Sequence, residues 1–307
     1  MRRPNAISPA LLALVLSFWV AFHYTVVGNR ALVWVPPWTY EQSSGDESTA
    51  DDVPQGTSFE RKRDGDGYIL SYSFRDFNRS LLTLKARLPD KAVEDSLDEF
   101  GYTDADLHAV HTKNGKQGAK VYDRKLKEFL ASRGFRLLDE DVVQADIPAM
   151  VKRNASRLNP VARSLDLLAS SKHYGPEEII AAATALVQTS IRYKVPPAVE
   201  KGVHIGGIHP PPKALVDGWG DCDTKTAVLG TLLQNWDGMN AVGLALPHHY
   251  LMGIARIPRK EDVYIEHEGA QYVLIEPAGP AWLPPGTVAK ETLDMLDRMQ
   301  GVPIQPF

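Results

Sequence analysis

The sequence predicts an α+β protein of 307 residues, in which an N-terminal transmembrane helix precedes a small α+β domain and a second, larger domain. Three observations predict this fold class. A long apolar run opens the chain, pairs of alternating segments are interspersed with helical patterns, and a glycine-rich turn leads into a helix that two further strands follow. The predicted divisions are an anchor at 1–30, a flexible acidic linker at 31–57, the small domain at 58–150 and the larger domain at 151–307.

The overall composition is that of a globular protein without a nucleic-acid partner. Hydrophobic residues make up 44% of the chain and charged residues 23%, which is close to ordinary globular usage and sufficient for a sizeable core. The formal net charge is -4, and the longest basic cluster is the triplet Arg61-Lys62-Arg63. Because nucleic-acid binding requires a basic patch or stripe, we expect no nucleic-acid partner.

The N-terminal segment predicts a membrane anchor. Ile7 to Val27 form an apolar run without Asp, Glu, Lys or Arg, and about 20 such residues span a hydrocarbon layer of roughly 30 Å. Arg2 and Arg3 favour a cytoplasmic amino terminus. A cleaved secretory signal is the alternative, but no small-x-small cleavage site follows the run cleanly. With either interpretation, the rest of the chain is expected to be exported.

The stretch from Glu41 to Gln55 is predicted to be a flexible tether. It contains five acidic residues, no basic residue and almost no apolar side chain. A segment of this kind buries too little apolar surface to offset the entropy lost on ordering. Ordered structure is therefore expected to begin near Ser58.

The regular elements as far as residue 190 follow from hydrophobic periodicity and from turn residues. Two alternating segments flank the turn Asn78-Arg79-Ser80, which is typical of a hairpin. Proline and glycine mark the ends of the helices. The predicted elements are hairpin strands at 68–77 and 81–88, helices between Pro89 and Gly101 and from about Val121 to Ser132, short strands at 135–138 and 142–146, and a helix that opens at Pro176.

The chain contains a single cysteine, Cys222, which excludes an intramolecular disulfide bond. It follows a glycine-rich turn and precedes an apolar helical pattern, so we expect it in the first turn of a helix, with Asp221 as the N-cap. Free N–H groups and the helix dipole stabilise negative charge there. The position therefore predicts a lowered pKa and a nucleophilic thiolate. The alternative is a buried, inert thiol.

Two later segments are predicted to be strands that carry an imidazole and a carboxylate. The first, Leu246 to Ala255, has His248 and His249 near its start, and the second ends at Glu276 before Pro277. Because neighbours on a strand point to opposite faces, only one of the two histidines is expected to face the cysteine. A thiol, an imidazole and a carboxylate on adjacent elements form a nucleophile, a base and an orienting group.

A zinc site is an alternative use of the same side chains. Zinc is held by cysteine, histidine and carboxylate ligands, usually four of them. No pair in this chain has the Cys-x-x-Cys or His-x-x-x-His spacing that prepares a site. We therefore expect neither a metal nor another cofactor. The potential ligands are Cys222, His204, His209, His248, His249 and Glu276.

Three segments resemble the motifs of the transglutaminase-like cysteine peptidase superfamily in their chain order, and the resemblance covers roughly residues 176 to 282. It implies a papain-like core, in which a helix carrying the cysteine packs against an antiparallel sheet bearing the histidine and the acid. It also implies a triad of Cys222, His249 and Glu276, where the family more often has Asp as the third member. The backbone N–H of Cys222 is one expected oxyanion donor, and its partner is unassigned. The segments are Gly220-Asp221-Cys222-Asp223-x-Lys225, His249 and Tyr272-Val-Leu-Ile-Glu-Pro-Ala-Gly-Pro280.

Two function classes are compatible with this resemblance. The first is a thiol-dependent acyl-transfer enzyme, of peptidase, amidase or transglutaminase type, acting on a peptide or protein amide. The second is a non-catalytic transglutaminase-like module that binds a partner and scaffolds a cell-envelope complex. Together with the predicted anchor, the resemblance implies a single-pass protein of the bacterial inner membrane. Its transglutaminase-like domain, residues 151–307, would then lie in the periplasm.

Overall fold

The computed structural model describes residues 24–27, 30–34, 54–138, 142–278, 282–299 and 301–307. Within these residues the fold is α+β, as predicted, with nine α-helices and mostly antiparallel sheets. None of the helices in the described ranges is long and apolar enough to cross a membrane. Residues 1–23 of the predicted anchor and residues 41–53 of the predicted tether lie outside them.

The last residues of the apolar run form a strand rather than the end of a helix. Strand β1 (Tyr24–Val27) pairs antiparallel with β2 (Arg30–Trp34), so the predicted anchor boundary at residue 30 falls inside a hairpin. β2 pairs in parallel with a strand much later in the chain, β7 (Val142–Ala145), which in turn pairs with β6 (Phe135–Leu138). The predictions of β6 and β7 are confirmed.

A three-stranded antiparallel sheet consists of β3 (Ser58–Asp64), β4 (Gly67–Arg75) and β5 (Leu81–Pro89). The predicted hairpin, β4 with β5, is confirmed. The sequence does not predict β3, because its residues are mostly charged and exposed and show no apolar alternation. One face of the sheet is buried, through the side chains Leu70, Tyr72, Phe74, Leu82, Leu84 and Leu88.

Three helices follow this sheet. The two predicted ones are α1 (Asp90–Asp98) and α3 (Ala119–Ser132). Between them lies α2 (Asp104–Asn114), which the sequence does not predict. Only Leu107 and Asn114 of this helix are buried, so no apolar stripe marks it in the sequence.

Five helices lead from there to the cysteine. Every residue of the last one, α8, is buried, and α6 is buried from its fourth residue almost throughout. These two helices therefore form part of the close-packed interior. The helices are α4 (Ile147–Asn154), α5 (Asn159–Ser171), α6 (Pro176–Ser190), α7 (Pro211–Asp217) and α8 (Cys222–Leu233). Short paired strands accompany them, namely β8 (Arg192–Tyr193) with β11 (Trp219–Gly220) and β9 (Val199–Glu200) with β10 (Val203–His204).

A five-stranded antiparallel sheet carries the predicted histidine and carboxylate, and α8 packs against it. In spatial order the strands are β14 (Tyr264–His267), β15 (Ala270–Ile275), β13 (His249–Ala255), β12 (Ala241–Leu246) and β16 (Ile304–Pro306), so β13 is the central strand. Glu276 directly follows β15, and one further helix, α9 (Lys290–Arg298), comes later in the chain.

The β3–β5 sheet and helices α5, α6 and α8 share one hydrophobic core. Tyr72 of the sheet lies in the same buried cluster as Leu186 of α6 and Leu229 of α8. The Tyr72 hydroxyl also donates a hydrogen bond to the backbone carbonyl of Leu215, at 2.7 Å. The predicted domain boundary near residue 150 lies inside α4, and side chains from both sides of it pack together. The cysteine's helix is therefore supported by elements from both predicted domains.

Candidate active site

The turn before α8 places Cys222 at the first position of the helix, as predicted. Gly218 has a left-handed φ of 71°, which glycine adopts without steric cost. Gly220 is pressed against Thr224, because a Cβ at Gly220 would come within 2.4 Å of Thr224 Cγ2. Asp221 is the N-cap, as predicted: its carboxylate accepts a hydrogen bond from the backbone N–H of Thr224 at 3.0 Å. The thiol is thus fixed on a capped, buried helix.

The surroundings of Cys222 raise the pKa of its thiol well above the usual value, chiefly because the side chain is buried. The carboxylates of Asp223 and Asp221 raise this pKa further, whereas a backbone hydrogen bond from Tyr250 lowers it. The thiol donates to Asp223 Oδ1 at 3.6 Å. The predicted lowering of the pKa is therefore wrong, since desolvation and two negative charges outweigh the helix dipole. At neutral pH the resting protein holds a protonated thiol.

His249 is the first residue of β13, directly after a tight turn. The sequence predicts one strand from Leu246 onward, but Leu246 ends β12 and is paired with His249 across a turn made of Pro247 and His248. His248 has a left-handed φ of 59° and is exposed. His249 is partly buried, and its Nε2 contacts Oε1 of Glu276. The structure thus joins His249, and not His248, to the predicted carboxylate.

Glu276 follows β15 directly, as predicted, and is only 3% exposed. Both carboxylate oxygens have partners: Oε1 contacts His249 Nε2, and Oε2 accepts a hydrogen bond from Thr292 Oγ1 at 2.8 Å. The backbone carbonyl of Glu276 accepts another from Gln188 Nε2 at 2.6 Å. A buried carboxylate requires such partners to offset its desolvation. The sequence predicts the first contact and gives no sign of Thr292 or Gln188.

The strand pairing explains how the thiol comes to lie beside β13. β13 pairs with β15 only from Met252 onward. Before that point α8 lies along β13, and Thr226 Oγ1 donates to the backbone carbonyl of Tyr250 at 3.1 Å. The backbone of Tyr250 also forms the hydrogen bond that lowers the pKa of Cys222. The thiol therefore lies beside the residue that follows His249.

The contact with Glu276 distinguishes the two ring nitrogens of His249. An ionised carboxylate accepts hydrogen bonds and cannot donate them. Because Nε2 faces the buried carboxylate of Glu276, Nε2 carries the hydrogen of this contact and donates it. Nδ1 then carries the lone pair of the neutral imidazole. A base next to a nucleophile needs this division, with one nitrogen oriented by an acceptor and the other able to take a proton.

A buried lysine connects the cysteine's helix to the end of α6, where Gln188 contacts the backbone of Glu276. Lys225 of α8 is 0% exposed, and its Nζ donates to the backbone carbonyls of Gln188 at 3.0 Å and Ile191 at 2.8 Å. These carbonyls lie at the C-terminal end of α6, where the helix dipole favours a cation. Burial lowers the pKa of Lys225 to about 7.

The lowered pKa of Lys225 predicts how the stability of the protein depends on pH. The ordinary lysine pKa is about 10.4, so between about pH 7 and pH 10 the unfolded chain binds more protons than the folded protein. The free energy of unfolding is therefore expected to rise with pH above about 7, by at most about 1.4 kcal/mol per pH unit from this group.

Urea unfolding of the wild type and of Lys225→Met, between about pH 6.5 and pH 8.5, measures this contribution. The variant lacks the titrating amine, so its free energy of unfolding should rise less steeply with pH than that of the wild type. Equal slopes in the two proteins would contradict the lowered pKa.

The other histidines considered as zinc ligands have separate surroundings. His204 Nε2 is hydrogen-bonded to Asp104 Oδ1 at 2.7 Å. His209 Nε2 lies 3.3 Å from Glu200 Oε2, and burial lowers the pKa of His209 to about 4. In the ranges that the structure describes, no group of three or more His, Cys, Asp or Glu side chains is arranged to hold a metal ion.

Comparisons with known proteins return no match: neither a protein-family profile, nor a curated protein, nor a solved structure is significantly similar to this chain.

Proposed function

We propose that the protein is a thiol-dependent acyl-transfer enzyme with a transglutaminase-like, papain-like core, acting on a peptide or protein amide. Cys222 is the nucleophile, His249 the general base and Glu276 the group that orients the base. The observation that supports this proposal most is the contact of His249 Nε2 with Glu276 Oε1, at the strand end that borders the first turn of α8. A nucleophile, a base and an orienting acid in this arrangement perform covalent acyl transfer on several unrelated folds.

The reaction proceeds in two stages. Cys222 Sγ attacks the amide carbonyl carbon while its proton moves to His249 Nδ1, and the carbonyl oxygen becomes an oxyanion near the free N–H groups of the helix start. The amine leaves with the proton from His249, and a thioester on Cys222 remains. Water or a second amine then attacks the thioester, gives its proton to His249 and releases the acyl group, and the proton returns to sulfur.

The raised pKa of Cys222 determines how the nucleophile is activated. Because the resting thiol is protonated, the proposal does not rely on a preformed thiolate. The proton is transferred while the carbon–sulfur bond forms, so the reaction depends on His249 as a general base. Glu276 keeps the lone pair of His249 directed to the thiol and stabilises the imidazolium that forms.

The proposed location is the bacterial inner membrane, with a single N-terminal anchor and the catalytic part in the periplasm. The apolar run that ends at Val27 and the arginine pair before it support this assignment. The partners would be a peptide or protein substrate and other proteins of the cell envelope.

A second candidate function is a non-catalytic module that binds a peptide or a partner in a cell-envelope complex. Two observations favour it: Cys222 is only 7% exposed, and its raised pKa disfavours the nucleophilic thiolate. In this case the contact of His249 with Glu276 would only stabilise the fold.

Acylation with p-nitrophenyl acetate at neutral pH separates the two functions, because this ester transfers acetyl to a reactive thiol. In the enzyme, the mass of the acid-quenched protein should increase by one acetyl group on Cys222. His249→Ala should acylate on the order of 10⁶-fold more slowly, because loss of the base of a triad costs nearly as much as loss of the nucleophile.

His248→Asn is the matched control, since asparagine tolerates the left-handed conformation of this exposed turn, and it should acylate at the wild-type rate. Absence of acetyl-Cys222, or equal rates in the wild type and His249→Ala, would favour the binding module instead.

A further inference from the structure

We propose that Thr292 is a positioning residue for the carboxylate of Glu276, an inference that rests on the proposed acyl-transfer function. Thr292 is the third residue of α9 and is 2% exposed. Its hydroxyl donates to Oε2 of Glu276 at 2.8 Å, while Oε1 of the same carboxylate contacts His249. Thr292 therefore acts on the reaction through Glu276 and does not touch the reacting atoms.

The carboxylate needs a second support because the side chain of glutamate is flexible. Its terminal torsion is broad, so the carboxylate plane rotates easily unless both oxygens are held. Oε2 is bound to Thr292 and Oε1 contacts His249. The plane of the carboxylate is therefore fixed by one contact at each oxygen. Since Glu276 is 3% exposed, water competes little for either oxygen.

The main chain of Glu276 is held independently by Gln188. Its side-chain amide donates to the carbonyls of Glu276 and Leu283, at 2.6 Å and 3.0 Å, and accepts from the backbone N–H of Leu283 at 3.1 Å. Gln188 thus holds Glu276 and Leu283 together. The backbone of Glu276 is held by α6 and its side chain by α9, so a change at Thr292 alone frees the carboxylate without freeing the backbone.

Removal of the hydroxyl leaves Glu276 Oε2 buried without its donor. A buried acceptor without a donor is unfavourable, and the carboxylate can regain a hydrogen bond by rotating towards another donor. This rotation turns Oε1 away from His249 Nε2, and the imidazole loses the acceptor that directs its lone pair to the thiol. A misplacement of about 1 Å in a catalytic arrangement can slow a reaction by on the order of 100-fold.

Thr292→Val and Thr292→Ser provide the test, because valine keeps the shape of threonine without the hydroxyl and serine keeps the hydroxyl. With p-nitrophenyl acetate as the probe, Thr292→Val should acylate Cys222 about 10- to 100-fold more slowly than the wild type. Thr292→Ser should be within a few-fold of the wild type. In a Glu276→Gln background the valine change should have little further effect, because both changes disturb the same contact.

A second readout does not depend on activity. The proton on His249 Nε2, shared with a buried carboxylate, should give a strongly downfield resonance in the proton NMR spectrum. It should be lost in Glu276→Gln, shifted or broadened in Thr292→Val and retained in Thr292→Ser. Thermal unfolding of each variant identifies any that fails to fold, and Thr292→Ser then still reports whether the hydroxyl is sufficient.

The outcomes separate this inference from the proposed function. If the wild type acylates and Thr292→Val acylates equally fast with an unchanged resonance, Thr292 has no positioning role and the enzyme proposal stands. If the wild type does not acylate but the resonance responds to Thr292→Val and not to Thr292→Ser, the contact exists and the acyl-transfer function is wrong. Loss of activity in both Thr292 variants alike, with both folded, would also overturn the hydroxyl's role.

Discussion

Cys222→Ala is expected to remove nearly all acyl transfer, while the protein remains folded. Removing the nucleophile of a triad that acts as a unit costs on the order of 10⁶-fold in turnover. The loss of stability should be small, about 1 kcal/mol, because alanine is a good helix former and the change removes a single sulfur atom. Steady-state release of nitrophenolate from p-nitrophenyl acetate, together with thermal unfolding, measures both effects.

His248→Asn again serves as the control, since it changes a neighbouring polar residue on the exposed side of the turn. Turnover by folded Cys222→Ala at a rate near that of the wild type would show that another group is the nucleophile. The triad would then be the wrong assignment, whatever the fold of the core.

His249→Ala and Glu276→Gln are expected to have graded effects. Loss of the base should cost nearly as much as loss of the thiol, because the thiol of Cys222 is protonated at rest and has no other base in the proposed reaction. Glu276→Gln should cost on the order of 10⁴-fold, since an amide can donate to His249 Nε2 and so favour the wrong tautomer. The expected order of lost activity is Cys222 ≥ His249 > Glu276 > His248.

Rates of nitrophenolate release from p-nitrophenyl acetate, measured on all four variants with matched protein concentrations, give this order directly. Glu266→Gln on the exposed edge strand β14 is a suitable control for the charge change at Glu276. A Glu276→Gln variant as active as the wild type would mean that the carboxylate does not orient the imidazole. An active His249→Ala variant would require a different base.

The sequence predicts the elements whose residues follow a local rule. The β4–β5 hairpin shows alternation, α6 opens with proline and acidic residues, and α8 starts at a glycine-rich turn with a capping aspartate. Each of these features is fixed by neighbours in the chain, so a local pattern is sufficient. The strand end at Glu276 is likewise marked by the proline that follows it.

What the sequence does not predict depends on contacts between distant segments. Helix α2 is mostly exposed and has no stripe, and Gln188 meets Glu276 only because α6 packs beside the end of β15. The error in the pKa of Cys222 has the same origin. The effect of the helix start is local and visible in the sequence, whereas the burial that outweighs it comes from the packing of α8 within the whole fold.

The core shared between the early sheet and the later helices has a consequence for the order in which the chain folds. Strands β4 and β5 are synthesised on the order of 100 residues before α5 and α6, which pack against them, and closing so long a loop costs entropy before any contact forms. Until these helices emerge, the apolar face around Tyr72 is uncovered, while the charged edge strand β3, with Arg61, Lys62 and Arg63, discourages pairing with other chains. Because α8 packs in turn on α5 and α6, covering of this sheet and placement of the cysteine's helix belong to one late cooperative step.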